Sequence, residues 1–310
     1  MWRRMAVWGL LTLVGCVDVA APEGTDPTET TDGKGDGPAA PSLPGQIRRL
    51  ELDYAGVPSA PGQPNLIAYL PSHLDTTQEV NVIIYLHGWY NCAENLLRAT
   101  NGACVKGRPA REAYDLPGQL ERSGKNAILL IPELAFDAAV SKPWGFETPN
   151  QFICMVWDAL NRMDLSIWDV SQTIIVSHSG GYKAAAAILR DGGGWVNEVW
   201  LLDSLYGEDA AFEGWMNEDP SLLASLQRRF VSIYSLAGGT LAENQGMAGR
   251  LKDTFEAGVL LDDRAPGGVD AAIGAHGVVF KRSNLLHDPL VRTVFGQLLA
   301  TSRLPDVTTP

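Results

Sequence analysis

Apolar residues along this chain fall in short, dense runs separated by longer mixed stretches. Val80 to Leu86, Ala127 to Ile131, Thr173 to Val176, Val199 to Leu202, Phe230 to Tyr234 and Val278 to Lys281 are each almost continuously apolar. Runs of this length read as strands covered on both faces. Two earlier segments, Ile47 to Val57 and Leu66 to Leu70, read as further strands. The intervening stretches near 109–122, 148–163, 181–190, 219–228, 241–257 and 288–300 carry helical patterning. Strands alternating with helices predict a doubly wound α/β domain over residues 46–305. Its sheet is expected to be mostly parallel, with about eight strands and helices on both faces.

The first 45 residues break this pattern. Arg3 and Arg4 precede a short apolar run from Met5 to Gly15, closed by Cys16. The run is well short of the roughly 20 apolar residues that a spanning helix needs, so residues 1–16 read as a secretory signal. Leu13-Val14-Gly15-Cys16 resembles the lipobox of bacterial lipoproteins. That resemblance implies cleavage before Cys16, lipid on Cys16, and an exported protein anchored in a membrane and facing the periplasm or the cell exterior. An ordinary signal peptide with an incidental Cys is the alternative. Residues 17–45 hold five prolines, several glycines and runs of Thr and Asp, with almost no large apolar side chain. Such a segment cannot bury enough surface to offset its ordering entropy, so it reads as a flexible tether.

Composition narrows the classes. Hydrophobic residues make up 45% of the 310-residue chain, enough for a sizeable core, and charged residues only 19%, too few for a largely disordered chain. The formal net charge of −12 and the lack of a Lys/Arg cluster argue against nucleic acid as a partner. Cys92 and Cys104 share a loop-like stretch and could close a disulfide in an oxidising compartment, or stand as two free thiols. Cys154 lies in an apolar helical pattern and reads as a core residue. No Cys or His spacing suggests a zinc site, and no cofactor is implied.

The chemistry sits where apolar strands end. Thr173 to Val176 runs into Ser177-His178-Ser179-Gly180-Gly181, followed by an Ala-rich helical stretch from Tyr182 to Leu189. A second strand, Val80 to Leu86, ends in His87-Gly88-Trp89. Together these resemble the nucleophile elbow and the oxyanion loop of the α/β-hydrolase superfamily of serine hydrolases. Ser177 departs from the usual first glycine but is small. The resemblance spans Ile47 to Leu304. It implies Ser179 as nucleophile, with the backbone N–H groups of Trp89 and Gly180 facing the developing oxyanion.

The family carries its general base in the loop after the last strand, and of the five histidines His287 follows that strand and immediately precedes the final helix. His73 lies early, His87 in the oxyanion loop and His178 in the elbow, with its side chain expected to point away. His276 precedes the last strand, at the wrong end of the sheet. An imidazole suits the role because its pKa, about 6.5 unperturbed, lets it take and return a proton near neutral pH. The acid is less determined. Family members carry it after the seventh or the sixth strand. Here the sixth ends in Asp203, whereas the seventh runs into Leu236-Ala237-Gly238-Gly239-Thr240 without one. Asp203 is favoured over Glu243, with Asp262, Asp263 and Asp270 further options.

Three functions fit: an esterase acting on small-molecule or lipid esters, a peptidase or amidase on the same scaffold, and a surface lipoprotein without catalysis. Trp89, Tyr90, Tyr206 and Trp215 are candidates to line an apolar acyl pocket.

Overall fold

The computed structural model describes residues 45–52, 64–252, 254–255, 259–262, 269 and 271–307. The expected signal with Cys16, all of the expected tether but Gly45, and the acid candidates Asp263 and Asp270 lie outside the described residues. The strands are β1 (Gln46–Leu50), β2 (Leu66–Leu70), β3 (Val80–Leu86), β4 (Ile128–Pro132), β5 (Val170–His178), β6 (Glu198–Leu202), β7 (Arg229–Ser235), β8 (Val259–Asp262) and β9 (Val278–Ser283). The helices are α1 (Ala93–Leu96), α2 (Leu116–Ser123), α3 (Gln151–Asn161), α4 (Tyr182–Gly192), α5 (Asp209–Glu218), α6 (Pro220–Ala224), α7 (Leu241–Leu251), α8 (Ala271–Gly274) and α9 (His287–Thr301).

The strands form one nine-stranded sheet in the order β1-β2-β4-β3-β5-β6-β7-β9-β8. β1 and β2 are antiparallel, and every pairing from β4 to β8 is parallel. Alternate residues of the continuous apolar strands enter two separate cores. Val82, Ile84 and Leu86 pack with α3, α4 and α5, whereas Ile83 and Tyr85 pack with α2 and α9. Covering both faces favours apolar residues at successive strand positions, which is why these strands show no two-residue alternation. Because β3, β5, β6, β7 and β9 all point the same way, Leu86, His178, Leu202, Ser235 and Ser283 end on one edge of the sheet. In open α/β sheets ligands bind at that edge.

The sheet has one strand more than expected. β8 is four residues long and pairs only with β9, at the edge. α5 also went unforeseen, although its buried residues Phe212, Trp215 and Met216 follow helical spacing. The helix expected from residue 109 starts only at Leu116, because Asp115 adopts φ +50° and turns the chain into it. Residues before that turn bridge back to an upstream loop through Gly102 and Arg111, whose backbones exchange hydrogen bonds of 2.8 and 3.2 Å. Cys92 and Cys104 form a disulfide that ties down this same loop. Cys154 is buried on α3. No described helix is long and apolar enough to cross a membrane.

At the opposite edge, Glu198 and Arg229 form a buried ion pair of 2.9 Å between β6 and β7. Glu198 also accepts from the Trp200 indole at 2.9 Å, and Arg229 donates to the carbonyls of Ile273 and Thr301. Removing one member strands the other charge in the core. Glu198→Ala is therefore expected to lower unfolding free energy by about 3–5 kcal/mol in urea titrations.

Candidate active site

Ser179 stands between β5 and α4 with φ +52°, in the left-handed region that side-chain-bearing residues seldom adopt. The strain lifts the serine out of the strand and leaves it half-buried at the edge of the sheet. A hydrogen-bond chain holds the turn. The Ser204 hydroxyl donates to the Ser179 carbonyl at 2.8 Å, which leaves Ser177 to donate to Ser204 at 2.8 Å. All of Ser177 and Ser204 is buried. The serine that replaces the usual first glycine of the elbow thus anchors it.

Asp203 follows β6 and is fully buried, again with a left-handed backbone at φ +47°. Its Oδ2 accepts from His287 Nδ1 at 2.7 Å and from the Ser235 hydroxyl at 2.5 Å. Its Oδ1 accepts from the Ser235 backbone N–H at 3.1 Å and from the Thr240 hydroxyl. Burial alone would raise the carboxyl pKa. The donors, His287 first among them, outweigh it and hold the group below its ordinary value of 3.8. Gly238, where β7 leads out, explains why the expected acid position after that strand is vacant. A Cβ at Gly238 would lie 1.8 Å from Asp203 Oδ2, so the space a side chain there would fill already holds the Asp203 carboxylate. Glu243 sits in the first turn of α7, half-buried, without a hydrogen bond to His287. Asp262 lies on the edge strand β8.

His287 is the first residue of α9 and half-exposed. The ring of His178 stacks against it, with centroids 4.5 Å apart, rather than pointing away. His178 Nε2 donates to the His287 carbonyl at 3.3 Å, and its Nδ1 lies 3.2 Å from the Tyr114 hydroxyl. Tyr114 also reaches Asp288 Oδ1 at 3.2 Å. Burial, reinforced by the neighbouring His287, pushes the His178 pKa down to about 3, so the ring is neutral at neutral pH. No hydrogen bond joins Ser179 to His287, but both face one cavity of about 230 Å³. Such contacts are often loose before substrate arrives.

The loop after β3 closes over the serine. A Cβ on Gly88 would meet Ser179 Cβ at 2.6 Å, so only glycine lets the backbone pass this close. No described residue accepts from the backbone N–H of Trp89. The Trp89 ring packs on Gly180 and donates to Ser141 Oγ at 2.9 Å. His87 anchors the loop from beneath, buried 2.8 Å from Glu133. Burial lowers its pKa, but the Glu133 carboxylate and the Gly88 carbonyl together outweigh this and the net shift is upward.

Trp89 and Tyr90 line the cavity, and Tyr206 sets its ring edge-on to His287 at 6.4 Å. Trp215 does not belong there; it is buried on α5 and donates to the Gly193 carbonyl. The rest of the wall is polar, including Asn91, Arg111, Glu112 and Asp288, rather than the apolar pocket the aromatics suggested. His73 pairs with Glu121, far along the chain, and His276 precedes β9 as expected. His178, His287 and Asp288 form the one described group close enough to hold a metal ion. Both His178 nitrogens and His287 Nδ1 already have partners, so a metal would have to displace them.

Tyr114, Arg111, Glu133, Ser204, Ser235 and Thr240 were not singled out from sequence. Ser204 alone carried a signal, as the polar residue directly after Asp203.

No family model matches this sequence, and no curated protein sequence does. Among solved structures, a feruloyl esterase module from Clostridium thermocellum complexed with sinapinate superposes with TM-score 0.55 at 13% identity. The match covers 85% of this chain and 89% of that one. A second structure, named FAE, gives TM-score 0.55 at 11% identity over the same shares. This chain has the α/β-hydrolase fold. A fluorophosphonate-binding serine hydrolase from Staphylococcus aureus aligns over 83% of this chain and 97% of its own at 11% identity, with TM-score 0.49. At such identities the likeness is one of fold.

Two outcomes follow from the buried groups. Gly238→Ala should displace the Asp203 carboxylate and lower the melting temperature by several degrees in calorimetry. Acid should destabilise the fold through His178. Its folded pKa lies below the unfolded value of about 6.5, so the unfolded state binds the extra proton and stability falls as pH drops from about 6.5 toward 3. Asp203 acts in the same direction at lower pH, its stability present above about 4 and lost as pH falls through its depressed value. His178→Phe should flatten the first part of this decline in melting temperature measured from pH 7 to 4.

Proposed function

We propose that this protein is a serine hydrolase that cleaves carboxylic esters through an acyl-enzyme on Ser179. The observation that carries the reading is the 2.7 Å contact of His287 with the fully buried Asp203, beside a strained Ser179 in the same cavity. Ser179 Oγ attacks the acyl carbonyl as His287 Nε2 takes its proton. Asp203 keeps the other ring nitrogen protonated and stabilises the imidazolium that results. The developing oxyanion is received by the backbone N–H groups of Trp89 and Gly180; one such donor is worth about 3 kcal/mol in the transition state. His287 then protonates the leaving alcohol. Water, activated by the same imidazole, attacks the acyl-enzyme and frees Ser179. The solved structures of similar fold include esterases, which agrees with this choice of bond.

In the same reading the protein is exported and held at a membrane by lipid on Cys16, with the acidic, polar segment behind it as tether. Replacement of Cys16 by Ser should move the protein from the membrane fraction to the soluble one; unchanged fractionation rejects the anchor.

The chemical test uses protein lacking residues 1–16. A fluorophosphonate probe should label the wild type and leave Ser179→Ala unlabelled. On a short-chain p-nitrophenyl ester, Ser179→Ala should lose about 10⁴-fold or more in kcat. Labelling that persists in the variant rejects Ser179 as nucleophile.

A further inference from the structure

The cavity beside Ser179 contains a cation that acyl transfer does not use. Arg111 is the only Lys or Arg among the residues lining it. Its guanidinium lies 4.5 Å from the centre of the Tyr90 ring. Stacking fixes the plane of the group and attracts its charge, yet leaves its N–H donors unsatisfied. The Nε atom is buried and has no hydrogen-bond partner. That nitrogen is out of reach of a ligand, but no described residue accepts a hydrogen bond from either terminal nitrogen, and these are the donors left open to an anion. Among the described residues no carboxylate lies within ion-pair distance of Arg111, although acidic residues outnumber basic ones by 36 to 24 in the sequence.

The neighbouring acids are accounted for. Glu112, next in sequence and also on the cavity wall, is 3.0 Å from Arg292 and accepts from Asn101 at 2.7 Å. Asp288, half-exposed, lies against Tyr114 and His178. The support for Arg111 is rigid on both sides. Its own backbone is bridged to Gly102, inside the loop tied by Cys92–Cys104. Tyr90 is held at φ +57° with its N–H bonded to the Ala138 carbonyl at 3.0 Å. A preformed, planar cation with an aromatic beneath it matches a carboxylate or a similar oxyanion, because the guanidinium fork pairs with two oxygens at once.

We propose that Arg111, stacked on Tyr90, is an anion-binding subsite, and that the ester cleaved at Ser179 carries a negatively charged group. The inference rests on the esterase reading and narrows it to anionic esters. The charged group can belong to the acyl arm or to the alcohol arm, and the two call for different probes.

The acyl arm is tested with the mono-p-nitrophenyl ester of succinate against its methylated, neutral counterpart. The alcohol arm is tested with 4-acetoxybenzoate against its methyl ester. The readout is the kcat/KM ratio of the anionic to the neutral ester within each protein. On one arm the wild type should favour the anion. That ratio should fall about 10–100-fold in Arg111→Gln and recover in part in Arg111→Lys. Circular dichroism and melting temperature check that the variants fold. Ratios that agree within about threefold between wild type and Arg111→Gln on both arms overturn the subsite.

Calorimetry on Ser179→Ala gives a second reading that needs no turnover. Either succinate monomethyl ester or 4-hydroxybenzoate should bind, and binding should weaken at least tenfold when Arg111→Gln is added. Binding of neither, or binding indifferent to Arg111, overturns the subsite. A wild type that hydrolyses none of the four esters, with Arg111-dependent binding intact, would instead reject the esterase reading.

Discussion

A carboxylate with no access to water must be surrounded by donors or give up its charge, and Asp203 meets that condition at the carboxyl end of β6. Its partners come from three directions: Ser235 at the end of β7, Thr240 before α7 and His287 at the start of α9. Each of these positions is thereby fixed relative to the sheet. The loop after β7 must pass so close that Gly238 has no room for a side chain. His287 must begin α9 rather than sit freely in the preceding loop. Hydrogen bonds to a charged group are each worth about 1.5–3 kcal/mol, so several of them offset a desolvation penalty of several kcal/mol.

The same economy of neighbours runs through the rest of the site. Ser204, directly after Asp203, ties β6 to the elbow through the Ser179 carbonyl. His178, directly before Ser179, braces the ring and carbonyl of His287. His87 and Glu133 secure the loop that covers Ser179 between β3 and β4. Residues where the parallel strands end therefore divide the work, some placed for the chemistry and their neighbours holding the backbone that presents them.

Much of the architecture was legible because burial on both faces forces continuous apolar strands; β2 and β3 fall at the residues expected. β8 was missed although Val259-Leu260-Leu261 is apolar, because so short a run just after a helical stretch does not by itself tell strand from helix. The helix before β4 was placed too early, since a left-handed Asp115 is not visible in hydrophobic spacing. That shift matters, because it leaves Arg111 in the cavity wall instead of on a helix. Asp203, His287 and Ser179 were singled out from their places after strands, which residue order reports well. The direction of the His178 ring, the burial of Trp215 and the polar character of the cavity depend on packing between segments distant in sequence, and no local pattern encodes them.

Proton transfer from Ser179 to His287 requires Asp203 to hold the Nδ1 proton of the imidazole. Proton NMR of protein labelled with ¹⁵N-histidine reads this directly, because an imidazole N–H bonded to a carboxylate resonates far downfield of other protons. The expected result is one such resonance, coupled to Nδ1, that is present in wild type and in Glu243→Gln and absent in both Asp203→Asn and His287→Gln. A resonance that survives in Asp203→Asn, or disappears in Glu243→Gln, would contradict it.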